Sequence, residues 1–260
     1  MKTNRQLVLV LSIISGLSLP AVAGQSYNGG KMSADLPSAA TAANNGLERA
    51  NKIIGMEVTD LQDRKLGKVK DLAIDLEAGR IAEVIVGTGG FVGVDEKLIA
   101  VPPEALTPDY SGKQLRLADT KTFETAPFFW LTEWKQAQAT SSTRVADVYQ
   151  RFHVPSYGQV TYLERANDII GLTARNLQQQ HLGKVETMVV DLPAGRIVDV
   201  ILSTGGILGI KSELSALPPQ AFLFDPNKDV LTLDRTKESL ENSPHFKADD
   251  WRYGVDHPAI

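Results

Sequence analysis

The residues of this 260-residue chain that could do chemistry are its carboxylates, four histidines and one glycine-rich stretch. Neighbouring carboxylates occur as Asp71 with Asp75, Glu77 with Glu83, and Asp95 with Glu96. General acid–base work needs two positioned carboxyls with separated pKa values. Yet the chain repeats this segment 116 residues later, and the repeat keeps only one of the six unchanged. Asp75 recurs as Asp191, whereas Asp71, Glu77 and Asp95 become Thr187, Pro193 and Lys211. An Asp at a strand end facing a turn is expected to accept backbone N–H bonds. His153, His181, His245 and His257 show no H-x3-H or HExxH spacing, and a metal site needs convergent ligands. GTGGFVG at 87–93 fails the dinucleotide fingerprint because Val92 takes the last glycine position, and no G-K-[ST] follows. It reads as a tight turn between strands. No G-x-S-x-G elbow is present, and zero cysteines remove disulfides, thiolate zinc sites and thiol catalysis together. No catalytic residue, metal or cofactor is expected.

What must position any functional group is a duplicated domain. Leu47-Glu48-Arg49-Ala50-Asn51 returns as Leu163-Glu164-Arg165-Ala166-Asn167, LGKV at 66–69 returns at 182–185, and AGRI at 78–81 returns at 194–197. TGG and Pro102-Pro103 recur likewise, and about 36 of 79 positions between 47–125 and 163–241 are identical without a gap. A one-residue slip then aligns Pro127-x-Phe129-x4-Trp134 with Pro244-x-Phe246-x4-Trp251. So long a period is a whole small domain rather than a solenoid unit.

Within a copy the pattern is strand-dominated. Lys68–Leu76 and Arg80–Val86 are rich in β-branched residues, and Glu77-Ala78-Gly79 between them predicts a hairpin. Lys97–Val101 predicts another strand, ended by Pro102-Pro103 and a helical turn through Ala105. Leu115–Leu117 and Leu231–Leu233 give a last short strand, and Thr120 and Thr236 are expected to cap the brief helix after it. Five or six short strands in about 80 residues suit a small barrel, because closure hides strand edges.

The ends and joints read differently. Residues 1–23 have Lys2 and Arg5 before an apolar run, Leu7–Leu19, and an Ala21-Val22-Ala23 cleavage pattern. This predicts a signal peptide cut between Ala23 and Gly24, with no stable membrane span afterwards. The protein is expected in the periplasm or outside the cell. Residues 24–46 are polar and small, as a disordered leader would be. Barrel one is assigned to 47–134, a linker to 135–162, barrel two to 163–253 and a tail to 254–260. QAQATSST at 136–143 looks flexible, while Val145, Val148 and Phe152 have helical spacing. The mature chain carries 25 Lys+Arg against 31 Asp+Glu, interspersed, which argues against a nucleic-acid partner.

The ordered set IIG, LGKV, D-L-x-A-G-R-I, V-I-V-G-T-G-G-F-V-G-V and A-V-P-P-E-A-L, present in both copies with substitutions, resembles the PRC-barrel domain. That family is named for the cytoplasmic domain of the photosynthetic reaction centre H subunit, and it also occurs in a ribosome-maturation factor. The resemblance implies a mostly β fold: two tandem small barrels, each followed by a short helix, joined by a partly helical linker. It also implies a role in holding other macromolecules. The chain is therefore expected to be an exported, non-catalytic scaffold whose barrels pair as an internal pseudo-dimer and bind a protein or envelope component. The alternative is a small-molecule or ion binder using the inter-barrel cleft. An enzyme would have to complete its site with linker residues such as Tyr149, His153 and Tyr157.

Interaction candidates come from where the copies disagree. Phe128 and Trp130 become His245 and Lys247, whereas Phe129/Phe246 and Trp134/Trp251 match and are expected to cap their own barrels. Phe91 and Val92, with Ile207 and Leu208, are apolar residues straight after the Gly-Gly turns.

Overall fold

Two β-branched runs separated by a glycine turn dominate each copy, and in the computed structural model they are its longest hairpin. The residues described are 47–89, 96–109, 112–134, 141–155, 158–160, 162–204, 213–225 and 230–247. Copy one contains β1 (Leu47–Arg49), α1 (Ala50–Ile53), β2 (Glu57–Thr59), β3 (Lys65–Asp75), β4 (Arg80–Thr88) and β5 (Lys97–Val101). A 3-10 turn, Pro103–Ala105, leads to β6 (Leu106–Pro108), β7 (Gln114–Leu117), α2 (Thr120–Thr125) and β8 (Phe128–Phe129). A second 3-10 turn, Leu131–Glu133, and the linker helix α3 (Ser141–Arg151) follow. Copy two repeats the order as β9 (Glu164–Arg165), α4 (Ala166–Ile169), β10 (Thr173–Arg175), β11 (His181–Asp191), β12 (Arg196–Thr204) and β13 (Glu213–Leu217). It closes with a 3-10 turn, Pro219–Ala221, then β14 (Phe222–Asp225), β15 (Val230–Leu233), α5 (Lys237–Glu241) and β16 (Phe246–Lys247).

Each copy is a curled, mostly antiparallel sheet in which β3 pairs with β2 and β4, β4 with β5, and β7 parallel with β2. Inward residues such as Val69, Leu72, Ile74, Val84, Val86 and Val101 share one apolar core with their copy-two equivalents. Full burial of each such side chain is worth about 1.5–3 kcal/mol. Asp75 and Asp191 behave as expected, accepting the N–H of Ala78 (3.0 Å) and Ala194 (3.3 Å) across their turns. Two local expectations change. Asp119, not Thr120, caps α2 by accepting Thr122 N–H at 3.0 Å, because a carboxylate one residue earlier already reaches that donor. Copy two has Arg235 there, so Thr236 caps α5 as expected. Residues 141–143, read as flexible, begin α3.

The copies are joined by exchanged strands. β9, which leads into copy two, pairs with β3 of copy one, Ala73 opposite Arg165 and Ile74 opposite Glu164. Reciprocally, β1 pairs with β11, Leu47 opposite Asp191 and Arg49 opposite Val189. Between them the two glycine turns meet: Ile81 N–H donates to Gly195 C=O at 3.0 Å, and Ile197 N–H to Gly79 C=O at 2.8 Å. Gly79 (φ +65°) and Gly195 (φ +59°) each press on the Pro-Pro turn of the other copy. A Cβ on Gly79 would lie 2.5 Å from the Gln220 amide and 3.0 Å from Pro219 Cγ; on Gly195 it would lie 2.8 Å from Glu104 Oε1. The motifs LERAN, AGRI and PP recur because they build this seam.

The LGKV glycine has a different reason. A Cβ on Gly67 would lie 2.4 Å from the Gly87 carbonyl oxygen, and Gly183 stands in the same relation to Ser203. Gly67→Ala should therefore force β3 and β4 apart and cost about 1–3 kcal/mol, as overpacking does. A lowered urea midpoint at unchanged slope checks it, and an unshifted midpoint contradicts it.

Candidate functional site

The segment after α2 is the most aromatic stretch of the chain, and its alternation divides it between two faces. β8 adds to the edge of β5, with Phe129 opposite Leu98 and Phe128 opposite Ile99. Phe129 packs on the outer face of the sheet beside Trp134, ring centroids 6.2 Å apart. Phe128, 46% exposed, meets Trp130 edge-on at 5.3 Å and carries the Lys97 ammonium 4.5 Å above its ring. Trp130 N–H donates to Glu133 Oε2 at 2.8 Å, which pins the following 3-10 turn and leaves Leu131 55% exposed. Phe128, Trp130 and Leu131 thus form an apolar ridge.

Phe129 and Trp134 pack on their own barrel, from the outer face of its sheet. Together with Val145 and Tyr149 of α3 they cover an outer face made of Ala73, Ala82, Ile85, Leu98 and Ala100. The inner side is already filled by the sheet's own residues, so the aromatics can gain burial only outside. Phe246 packs on the equivalent face, Val189, Ile201 and Leu214; Trp251 lies outside the described residues.

One charged pair lies beneath the linker helix. Arg144 of α3 has its guanidinium 5.4 Å from the Phe129 ring and 5.5 Å from the Trp134 ring, and its Nη2 is 2.9 Å from Glu83 Oε2. Glu83 is fully buried, and burial pushes its carboxyl from 4.5 up to about 7 although Arg144 pulls the other way. Desolvation therefore exceeds attraction in this pair.

The part of this outer face that α3 leaves open is a cleft of about 470 Å³. Ile85 and Leu98 line it together with the indoles of Trp130 and Trp134, beside Leu131 and Thr132. Four charged residues complete the lining. Lys70 Nζ meets Glu96 Oε1 at 2.7 Å, and both side chains cross Gly87, where a Cβ would be 2.6 Å from each. Asp71 is filled by four donors: Leu72 N–H and Asn167 N–H at Oδ1, Arg165 Nε and Asn167 Nδ2 at Oδ2, all between 2.8 and 3.1 Å. Arg165 and Asn167 come from copy two, so Asp71 pins the seam and borders the cleft at once.

Copy two keeps the floor and loses the decoration. Ile201 and Leu214 stand for Ile85 and Leu98, but Glu186, Thr187, Ser212 and Lys247 replace Lys70, Asp71, Glu96 and Trp130. Ser203 replaces Gly87, consistent with the absence there of a crossing ion pair. Of the residues singled out in the sequence, Phe128 and Trp130 come together; Phe91, Val92, Ile207, Leu208, Ala23 and Gly24 lie outside the described residues. The sequence neighbours Glu77 and Glu83 separate, one exposed in the turn and one buried. Tyr149 is buried in the apolar cluster and His153 is exposed at the end of α3; Tyr157 lies outside the described residues. Sequence reasoning missed Lys70, Leu131, Arg144 and Arg165, although the first two change to Glu186 and Ala248 in copy two and were open to the same comparison. Among the described residues no group of three or more His, Asp or Glu could hold a metal, and no helix is long and apolar enough to cross a membrane.

The family model of the PRC-barrel domain matches the chain twice, at residues 45–122 and 163–240. No curated protein matches it.

The Glu83 carboxyl sets a pH dependence. Its folded pKa lies above its unfolded value of 4.5, so the folded state binds the proton more tightly, and stability is lost as pH rises from 4.5 through 7. At about 1.4 kcal/mol per unit this group is worth about 3 kcal/mol across that window. Glu83→Gln should flatten the fall in melting temperature between pH 5 and pH 8 relative to wild type. Parallel curves for the two proteins would refute the assignment.

Proposed function

The chain belongs to the PRC-barrel domain family, and from that premise we propose that it is an exported, non-catalytic interaction protein whose two barrels act as one internally paired body. Domains of this family often serve as interaction modules. The observation that carries the reading is the ridge of Phe128, Trp130 and Leu131, with two large apolar residues about half exposed. A fold does not need it, because copy two places His245 and Lys247 at the positions of Phe128 and Trp130. Aromatic side chains clustered on a surface are the usual energetic centre of a protein contact. The partner it fits is a protein or envelope component that presents an apolar patch.

Replacing Phe128 by His and Trp130 by Lys installs the copy-two residues and leaves Phe129 and Trp134 in place. Proximity labelling of envelope extract should identify a partner whose capture falls at least tenfold with the double variant, while the melting temperature moves by less than about 2 °C. Equal capture by both proteins would remove the ridge from the contact. Export is tested separately: the protein recovered from cells should fractionate with the periplasm or medium and begin at Gly24. An intact Met1 in the cytoplasmic fraction would contradict it.

A second reading is favoured by the cleft. A volume of about 470 Å³ falls in the range of small-molecule sites, and apolar walls with a few convergent polar groups are what such sites share. On this reading the chain binds a small ligand beside the seam.

A further inference from the structure

We propose that the cleft beside Trp130 takes a planar aromatic carboxylate, its ring against the indoles and its carboxylate at Arg165 and Lys70. The inference rests on the small-ligand reading and adds the class of ligand.

The hydrogen-bond capacity of the lining gives the polarity. The four charged residues there sum to zero, but they are not equally available. Asp71 already accepts from Leu72, from Arg165 and twice from Asn167, which leaves it little acceptor capacity. Arg165 spends its Nε on that bond and its Nη1 on a looser ion pair with Asp168 at 3.7 Å, while the side chain stays 24% exposed. Lys70 has three N–H donors, and its pairing with Glu96 leaves others for a ligand. The lining therefore offers spare donors from two cations against one strong spare acceptor, the second oxygen of Glu96. A guanidinium with its Nη2 turned to the cleft, beside the Lys70 ammonium, can meet the two oxygens of a carboxylate, the anion arginine pairs with best.

The apolar lining gives the shape. Ile85 and Leu98 with two indoles suit a flat ring more than a flexible chain, and Leu131 and Thr132 add to the lining. The Lys70–Glu96 pair does not bar entry, because it is partly solvated (40% and 22% exposed) and such pairs contribute little. Copy two retains an arginine, Arg49, at the position of Arg165 but has Glu186, Ser212 and Lys247 where the cleft has Lys70, Glu96 and Trp130, so it lacks the lysine and the first indole of this site.

The test uses the full mature chain and three probes of matched shape: 1-naphthoate, neutral 1-naphthamide and cationic 1-naphthylmethylamine. Titration calorimetry, with tryptophan fluorescence as a second readout, should show saturable 1:1 binding of naphthoate at least tenfold tighter than of either other probe. Lys70→Gln should weaken naphthoate at least fivefold without changing naphthamide, and Trp130→Lys should abolish ring binding. Both lie at the surface, so their melting temperatures should stay near wild type. Arg165→Lys, which keeps the charge but not the fork, should cost more than Lys70→Gln. If naphthamide binds as well as naphthoate, or the amine binds best, the carboxylate assignment is wrong while the small-ligand reading survives. If no probe saturates, both fall together.

Discussion

The rest of the molecule depends on the main-chain bonds by which each copy completes the other. β9 lies on the sheet of the first copy and β1 on that of the second, and the glycine turns are hydrogen-bonded across the seam. These are backbone bonds, indifferent to side-chain substitution, so they fix the relative placement of the copies while their surfaces diverge. The side chains that reinforce them are the ones the duplication kept. Gly79 and Gly195 are small because a proline turn from the other copy presses on them, and Ala50 and Ala166 are fully buried behind the exchanged strands.

Because the seam takes its constancy from backbone and small residues, the two outer faces were free to differ. On the first, α3 and the aromatic segment cover the sheet and place Arg144 over a buried carboxylate. The Asp71 contact shows how one residue serves both roles. Its carboxylate holds the lead-in of copy two, and in doing so it presents Arg165 to the cleft. Thr187 at the equivalent place has a hydroxyl that reaches only Met188 C=O, at 3.4 Å.

The hairpins, the terminal strands and the second helix cap were legible in the sequence because each is a local pattern: β-branched runs, Gly in a turn, Thr before a helix. Comparing the copies also singled out Phe128 and Trp130, since a fold seldom needs an aromatic that its own duplicate exchanges for His or Lys. What stayed hidden involves distance. Asp71 could not be joined to Arg165, which lies 94 positions away, from spacing alone. Helical periodicity in the linker marked Val145 and Val148 as apolar, but nothing local says which sheet they meet or that Arg144 reaches Glu83. For the matched aromatics the side of the sheet was not legible, for a related reason. Identity at equivalent positions implies an equivalent environment, not which side of the sheet that environment is on.

The exchanged strands also set an order of events. Leu47 enters the fold by pairing with Asp191, so one of the first strands of the domain pair waits for one of the later ones. Contacts so far apart in the chain are slow to form, because loop closure must precede any gain from pairing. A chain growing from its N-terminus can collapse its first barrel but cannot finish it until β9 has arrived, and β1 finds its partner only when β11 follows. Completion is thus withheld until most of the second copy is free to pair with the first.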